Sequence, residues 1–249
     1  MRSKLLLAVT AVFLSLARLS AGDVKIQSDR WMPLNGTPQE HPPGYAIELM
    51  VEVFTDSDTV TYTLEPWTDS IENTAKGKAD AVIGTAKDEA PSLLFPQEAI
   101  ARIDYGLWAK TGSPFQYSEA SLGKARIGVI KGYTYWPALD KLIENKAANI
   151  VVFGGDNPLE DAINALAKDE IELLPESRPV FAWAIKEQER NLANFTSKFD
   201  HDGGLIYVAF TKSDRGKALA ARWDAGIAAL RKDGTLARIL ARYGVTDWK

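Results

Sequence analysis

Strand-like and helix-like runs alternate along this chain in two successive blocks, and that alternation limits the fold more than any other feature. In the first block, residues 24–26 read as a short strand, and residues 45–54 place Ile47, Met50, Val51 and Phe54 at helical spacing. Residues 60–64 read as a second strand. Trp67 leads a helix with Ile71 and Ala75 on one face, Gly77 ends it, and residues 80–84 form a buried strand candidate. The order β-α-β-α-β belongs to a parallel sheet with crossover helices. A Pro- and Gly-rich loop spans residues 35–44, and a second loop spans 85–96.

Apolar stretches follow around Ile100 and at residues 105–109, and Thr111-Gly112-Ser113-Pro114 marks the first plausible boundary. The second block opens with residues 125–130, an apolar run rich in β-branched residues that reads as a buried strand. Gly132 breaks it, Tyr133-Thr134-Tyr135 follow, and Pro137 sits near the first turn of a helix through Leu139, Leu142 and Ile143. A strand, a Gly turn and a helix start leave unpaired N–H groups that suit an anion, although an ordinary β-turn-α unit without a ligand has the same pattern.

Residues 150–153 read as another strand, and Asn157-Pro158-Leu159-Glu160 is a helix start for Ala162, Ile163 and Leu166. A strand at 171–174 and an apolar segment at 180–185 complete the repeat. Beyond Asp202-Gly203-Gly204 lies a strand at 205–210. Ser213 then caps a helix carrying Leu219, Trp223, Ile227 and Leu230, and Thr235 caps a last helix that Gly244 ends. The expectation is an α/β protein of two blocks plus a helical tail.

The first residues read as an export signal. Arg2 and Lys4 precede an apolar run at residues 5–16, and Leu19-Ser20-Ala21 offers a small-residue cleavage site. The run is too short to span a bilayer. The chain has no cysteine, which excludes disulfides, thiolate metal sites, a Cys nucleophile and lipoprotein attachment. A periplasmic, secreted protein is therefore expected. Of the 29 basic residues, Arg2, Lys4 and Arg18 fall in the leader, which leaves 26 against 33 acidic ones. An acidic chain without a basic stripe is a poor partner for nucleic acid.

The order of landmarks resembles bacterial extracellular solute-binding proteins of family 3, the periplasmic amino-acid-binding proteins of ABC uptake systems. The resemblance rests on Trp31-Met32-Pro33, Gly44-Tyr45-Ala46-Ile47-Glu48-Leu49, the run WTDSIENTAKGKADAVIG at 67–84, and Ser121-Leu122-Gly123-Lys124 through Gly132. It continues through residues 162–172 and the run LRKDGTL at 230–236. Each stretch is weak alone, but together they cover nearly the whole mature chain in order. The resemblance implies the type II periplasmic binding fold, with two α/β lobes and a ligand cleft between them. Lobe 1 would hold residues 22–109 plus 208–249 and lobe 2 residues 113–204, with hinge crossings near 110–114 and 203–207. It also implies a small-molecule ligand, a membrane permease as partner, and a monomer that needs neither metal nor cofactor.

Family members clamp a ligand carboxylate with an Arg in the loop after the 80–84 strand, and the ligand amine with an Asp in the second block. Here the first loop holds Thr85 and Lys87 but no Arg, so Lys87 is the nearest cation, a point charge in place of a bidentate fork. Lys87 could equally be solvated beside Asp88 or Glu89. The Asp is missing and Glu176 is the closest carboxylate; Arg178 follows it. The second-lobe helix start carries over to Thr134 and the backbone of Tyr133. Trp31, Trp67, Tyr133, Tyr135 and Trp136 are candidates to cover a ligand with flat faces, and for Trp67 a core role competes. The expected ligand is small, polar and carboxylate-bearing.

An enzyme is the second reading, because some relatives of this fold are dehydratases of cyclic carboxylates. His41 and His201 are the only histidines, and no Ser motif or metal spacing lies near either. A non-enzymatic binder is therefore expected. A secreted ligand-sensing module without a transporter is the third reading.

Overall fold

Side chains pointing alternately to the two faces of a strand give this sheet two apolar faces to cover, and the helices cover them. The computed structural model describes residues 22–56 and 58–249; the leader expected at residues 1–21 lies outside them. The elements are β1 (Gly22–Ser28), α1 (Tyr45–Phe54), β2 (Asp58–Leu64), α2 (Trp67–Ala75), β3 (Ala81–Thr85), β4 (Ala101–Lys110), α3 (Glu119–Leu122) and β5 (Ile127–Ile130). They continue with α4 (Pro137–Glu144), β6 (Ile150–Phe153), α5 (Pro158–Ala167), β7 (Leu174–Ser177), α6 (Arg178–Glu187), β8 (Phe195–Phe210), α7 (Asp214–Lys232) and α8 (Thr235–Arg242).

Six strands lie in the order β2-β1-β3-β8-β4-β7, and β5 pairs with β6. The first block is parallel as expected: β1 runs parallel to both β2 and β3. Strand β8 then pairs antiparallel with β3 at one end and with β4 along its length, and β7 pairs antiparallel with β4. β5 joins the chain entering β7 through a parallel bridge between Ile127 and Leu173.

The long antiparallel pair β4/β8 carries two sets of cores. At one end Ile103, Ile206, Val208 and Phe210 pack with Val24, Ile26, Ile83, Phe54 and Trp223. On the opposite face of that end, Val82 and Ala209 pack with Trp67 and Leu93. At the other end Trp108 packs with Ile163, Leu166, Phe181 and Phe195, while its neighbours Leu107 and Ala109 face Ile127, Val129, Leu139 and Leu173. Trp108 and Phe181 stack with ring centroids 4.2 Å apart. Trp223 is fully buried and donates its indole N–H to the Glu98 carbonyl at 3.1 Å, so its polar edge is satisfied inside an apolar core.

Two strands differ from the sequence reading, and one segment of open type gains an assignment. β8 begins at Phe195, ten residues before the expected strand at 205. Its first half is polar and Gly203-Gly204 reads as a turn; in the fold Gly204 sits at a positive φ of 78°, beside a register shift between Ile103 and Asp104. Such a bulge bends a strand without ending it. β7 lies at Leu174–Ser177, three residues beyond the expected 171–174, because Pro175 is accepted opposite Leu107. The apolar segment at 180–185 is the centre of helix α6, with Pro179 in its first turn.

Candidate functional site

Parallel strands end together, so the loops that leave them gather on one side of the sheet, where ligands of open α/β folds bind. Here the loops after β1, β3 and β5 and the start of α2 meet the middle of β4 and β8 around a cavity of about 390 Å³. That size suits a small molecule. Ile103 and Ile206 lie on its wall and belong to the first core, while Tyr105, Tyr133 and Tyr135 also pack on the core at the other end of β4. The cavity therefore sits between the two ends of the molecule.

Of the expected site residues, Trp31, Trp67, Tyr133, Thr134 and Tyr135 line it, and Trp136 does not. The Tyr133 ring stands edge-on to both indoles, with centroids 6.4 Å from each. Gly84, at φ 95°, lies against the Trp31 ring; a Cβ there would sit 3.2 Å from it, in a backbone region that side chains rarely adopt. The glycine thus leaves room for the indole against the end of β3.

Thr85, Lys87 and Glu176 do not line the cavity. Thr85 is fully buried and donates its hydroxyl to Glu89 Oε2 at 3.1 Å. The Lys87 side chain is exposed, its Nζ 4.7 Å from the centre of the Tyr207 ring. Glu176, 1% exposed, accepts from the Ser177 N–H at 2.6 Å and from the Trp31 indole at a long 3.4 Å. It stands behind Trp31.

The expected helix start at Thr134 is displaced. Trp136 is the N-cap of α4, and the turn before it uses its own donors. The Tyr133 N–H goes to the Ile130 carbonyl at 3.2 Å, and the Tyr135 N–H goes to Asp140 Oδ1 at 2.9 Å. Tyr135 in turn accepts the Ile130 N–H on its hydroxyl at 2.8 Å. The turn is closed by its own side chains, and Pro137 shifts the first helical residue beyond it.

The lining residues missed in the sequence reading include Asp29, Asp88, Glu89 and Tyr105. Asp29 Oδ2 accepts the Tyr133 hydroxyl at 2.8 Å. Glu89 accepts the Trp67 indole N–H at 3.1 Å on one oxygen and the Thr85 hydroxyl on the other. Tyr105 donates to the Thr134 carbonyl at 3.3 Å. Asp29 follows directly on β1, and Glu89 lies in the loop already singled out, so position after a buried strand was the available signal. Asp29 and Glu89 are ordinary charged loop residues until the fold half-buries them.

Burial dominates the electrostatics. Desolvation pushes Asp29 up to about 6 and Glu176 up to about 7, and it raises Glu89 as well. Hydrogen bonds from Tyr133, Trp31, Trp67 and Thr85 act against this without cancelling it. Among the described residues, no Lys or Arg lines the cavity. Neither His41 nor His201 lines it either; His201 packs on Trp136 at 5.7 Å.

Solved structures share this fold. An ancestral arginine-binding protein bound to arginine superposes with a TM-score of 0.74 at 17% identity, over 89% of this chain and 98% of that one. A histidine kinase sensor domain with similarity to periplasmic binding proteins gives a TM-score of 0.73 at 18% identity, over 92% and 98%. A structure concerned with glutathione import via GshT and the cystine ABC importer TcyBC of Streptococcus mutans gives 0.73 at 20% identity, over 92% and 97%. At these identities the likeness shows the fold, which is the type II periplasmic binding fold. No curated protein sequence matches the chain. Its sequence does match a defined family over residues 24–246, and the chain belongs to that family, the bacterial extracellular solute-binding proteins, family 3.

Proposed function

We propose that this protein captures a small polar ligand in the cavity between its two ends and delivers it to a membrane permease of an ABC transporter. The observation that carries this reading is the cavity itself, lined with rings and carboxylates from both sides of the β4/β8 crossing. On this reading the chain is exported to the periplasm after loss of residues 1–21, acts as a monomer and performs no chemistry on its ligand.

The proposal places the lobe division on the core contacts. Ile103 and Ile206 belong to one end and Leu107 and Phe195 to the other. The crossings then fall at residues 104–106 and 201–205, with the register shifts of β4/β8 and Gly203-Gly204 at hand to absorb rotation. The 110–114 crossing expected from sequence lies past this point, at the end of β4. On this reading the structure is closed, and opening would break the contacts of Tyr133 with Asp29, Trp31 with Glu176 and Arg30 with Glu187, which span 104, 145 and 157 residues of sequence.

A thermal-shift screen of the mature chain against amino acids, amines and small carboxylates tests the reading. Ligand at about a hundred times its dissociation constant should stabilise by roughly 2.7 kcal/mol. A screen without a single stabilising compound would overturn it. The resemblance to a histidine kinase sensor domain supports a second reading, in which the bound protein reports to a signalling partner. Loss of ligand uptake in a deletion strain favours delivery; unchanged uptake with an altered transcriptional response favours sensing.

A further inference from the structure

We propose that the cavity takes a small organic cation and makes no use of a ligand carboxylate. This rests on the reading of the cavity as the ligand site and names the class of compound that fits it. The lining presents Asp29, Asp88 and Glu89 together with the rings of Trp31, Trp67 and Tyr133. Carboxylates and aromatic faces are both attractive to an ammonium or guanidinium group. An anion entering here would meet three acidic side chains, and Glu176 behind Trp31 would add a fourth.

The cations nearby are engaged elsewhere. Lys87 lies over the Tyr207 ring. Arg30 lines a smaller neighbouring cavity of about 150 Å³ and pairs with Glu40 at 2.7 Å and Glu187 at 2.5 Å. Arg178 pairs with Asp104 and Asp200, and Arg102 with Asp202. In the turn at 133–135 the N–H groups of Tyr133 and Tyr135 are bonded within the chain, which leaves that of Thr134, a single neutral donor, on the cavity side. A carboxylate entering here would meet that one neutral donor and no cation.

The groups facing Asp29 are the Tyr133 and Ser28 hydroxyls, Glu89 and Glu176; those facing Glu89 are the Trp67 indole, the Thr85 hydroxyl and Asp88; those facing Glu176 are the Ser177 N–H, the Trp31 indole and Asp29. None is positively charged. Buried carboxylates without a cation hold their protons more tightly, and a bound cation supplies the missing charge. Binding then releases protons, and affinity rises as pH climbs through the range where Asp29 and Glu176 ionise, about 6 to 7.

Matched pairs that differ by the carboxylate test this: agmatine against arginine, cadaverine against lysine, histamine against histidine, titrated calorimetrically into the mature chain at pH 8 and pH 5.5. In at least one pair the amine should bind tenfold or more tighter than its amino acid, and more tightly at pH 8. Asp29→Asn and Glu89→Gln should each weaken that amine tenfold or more with an unchanged circular dichroism spectrum. Tighter binding of the amino acid in every pair that binds overturns the inference and leaves ligand capture standing. Silence of all six also overturns it, and the wider screen then decides whether capture survives.

Discussion

The turn after β3 and the turn after β5 occupy matching places, each leaving a buried strand at a glycine and each reaching the cavity, yet they bring opposite things to it. The first turn brings charge: Glu89, held by Trp67 and Thr85, with Asp88 beside it. The second brings rings: Tyr133 edge-on to two indoles, and Tyr135 with its hydroxyl bound to the strand it follows. Both turns read from sequence as anion sites, through Lys87 in one and the helix start in the other. The difference teaches that a turn's chemistry depends on where its donors and charges are satisfied. In the first the cation is turned outward, and in the second the N–H groups of Tyr133 and Tyr135 are bonded inside the turn.

Trp67→Ala strikes the first turn hardest. The indole is 8% exposed, packs with Val82, Leu93 and Ala209, and supplies a hydrogen bond to Glu89. Truncating a buried ring of this kind costs about 3–5 kcal/mol, read as a lowered urea midpoint with an unchanged slope. A cost below about 1 kcal/mol would mean that the ring serves the ligand alone and that the first turn does not depend on it.

Glu176→Gln addresses the acid that sits behind Trp31. Its folded pKa, about 7, is raised from 4.5 by burial. A raised carboxylate contributes stability that is fully present below about 4.5 and lost as pH rises through about 7. At pH 8 the ionised, buried side chain therefore destabilises the protein by on the order of 3 kcal/mol. The amide should remove this cost and flatten the stability profile of the ligand-free protein between pH 4.5 and 8, measured by denaturant titration at several pH values. A variant less stable than the parent at pH 8 would show that the charged form is compensated.

Much of the fold was legible because periodicity survives folding. Ile47, Met50 and Phe54 line the buried side of α1 as their spacing implies, whereas Val51 of the same set is exposed, and the β-α-β-α-β order of the first block is the one observed. The polar half of β8 was not legible, since Phe195–Gly204 has neither apolar alternation nor a turn-free sequence; its partner β4 supplies the order. In the site, Trp31, Trp67, Tyr133 and Tyr135 were found because a ring near a strand end has few places to go, whereas Tyr105, inside β4, was missed. Asp29 and Glu89 were missed because a carboxylate's role follows from burial, which long-range packing creates. Lys87 was over-weighted for the converse reason. The exposed side chain of a long, flexible residue is free to point away from the cavity its backbone borders.

Lys87→Ala is accordingly the smallest perturbation and the most direct comparison of the two turns. The ammonium is exposed and meets the Tyr207 ring at 4.7 Å, a contact worth about 0.5–1 kcal/mol at such a site. Thermal stability should therefore fall slightly, and affinity for whichever compound the screen identifies should change less than threefold. If a cation is the ligand, removing a positive charge from the rim should, if anything, tighten binding at low salt, and the gain should fade as salt screens the exposed charge. A tenfold loss of affinity would instead bring Lys87 onto the ligand in the bound state. It would restore the anion clamp on the first turn and leave the second as the one that contributes rings alone.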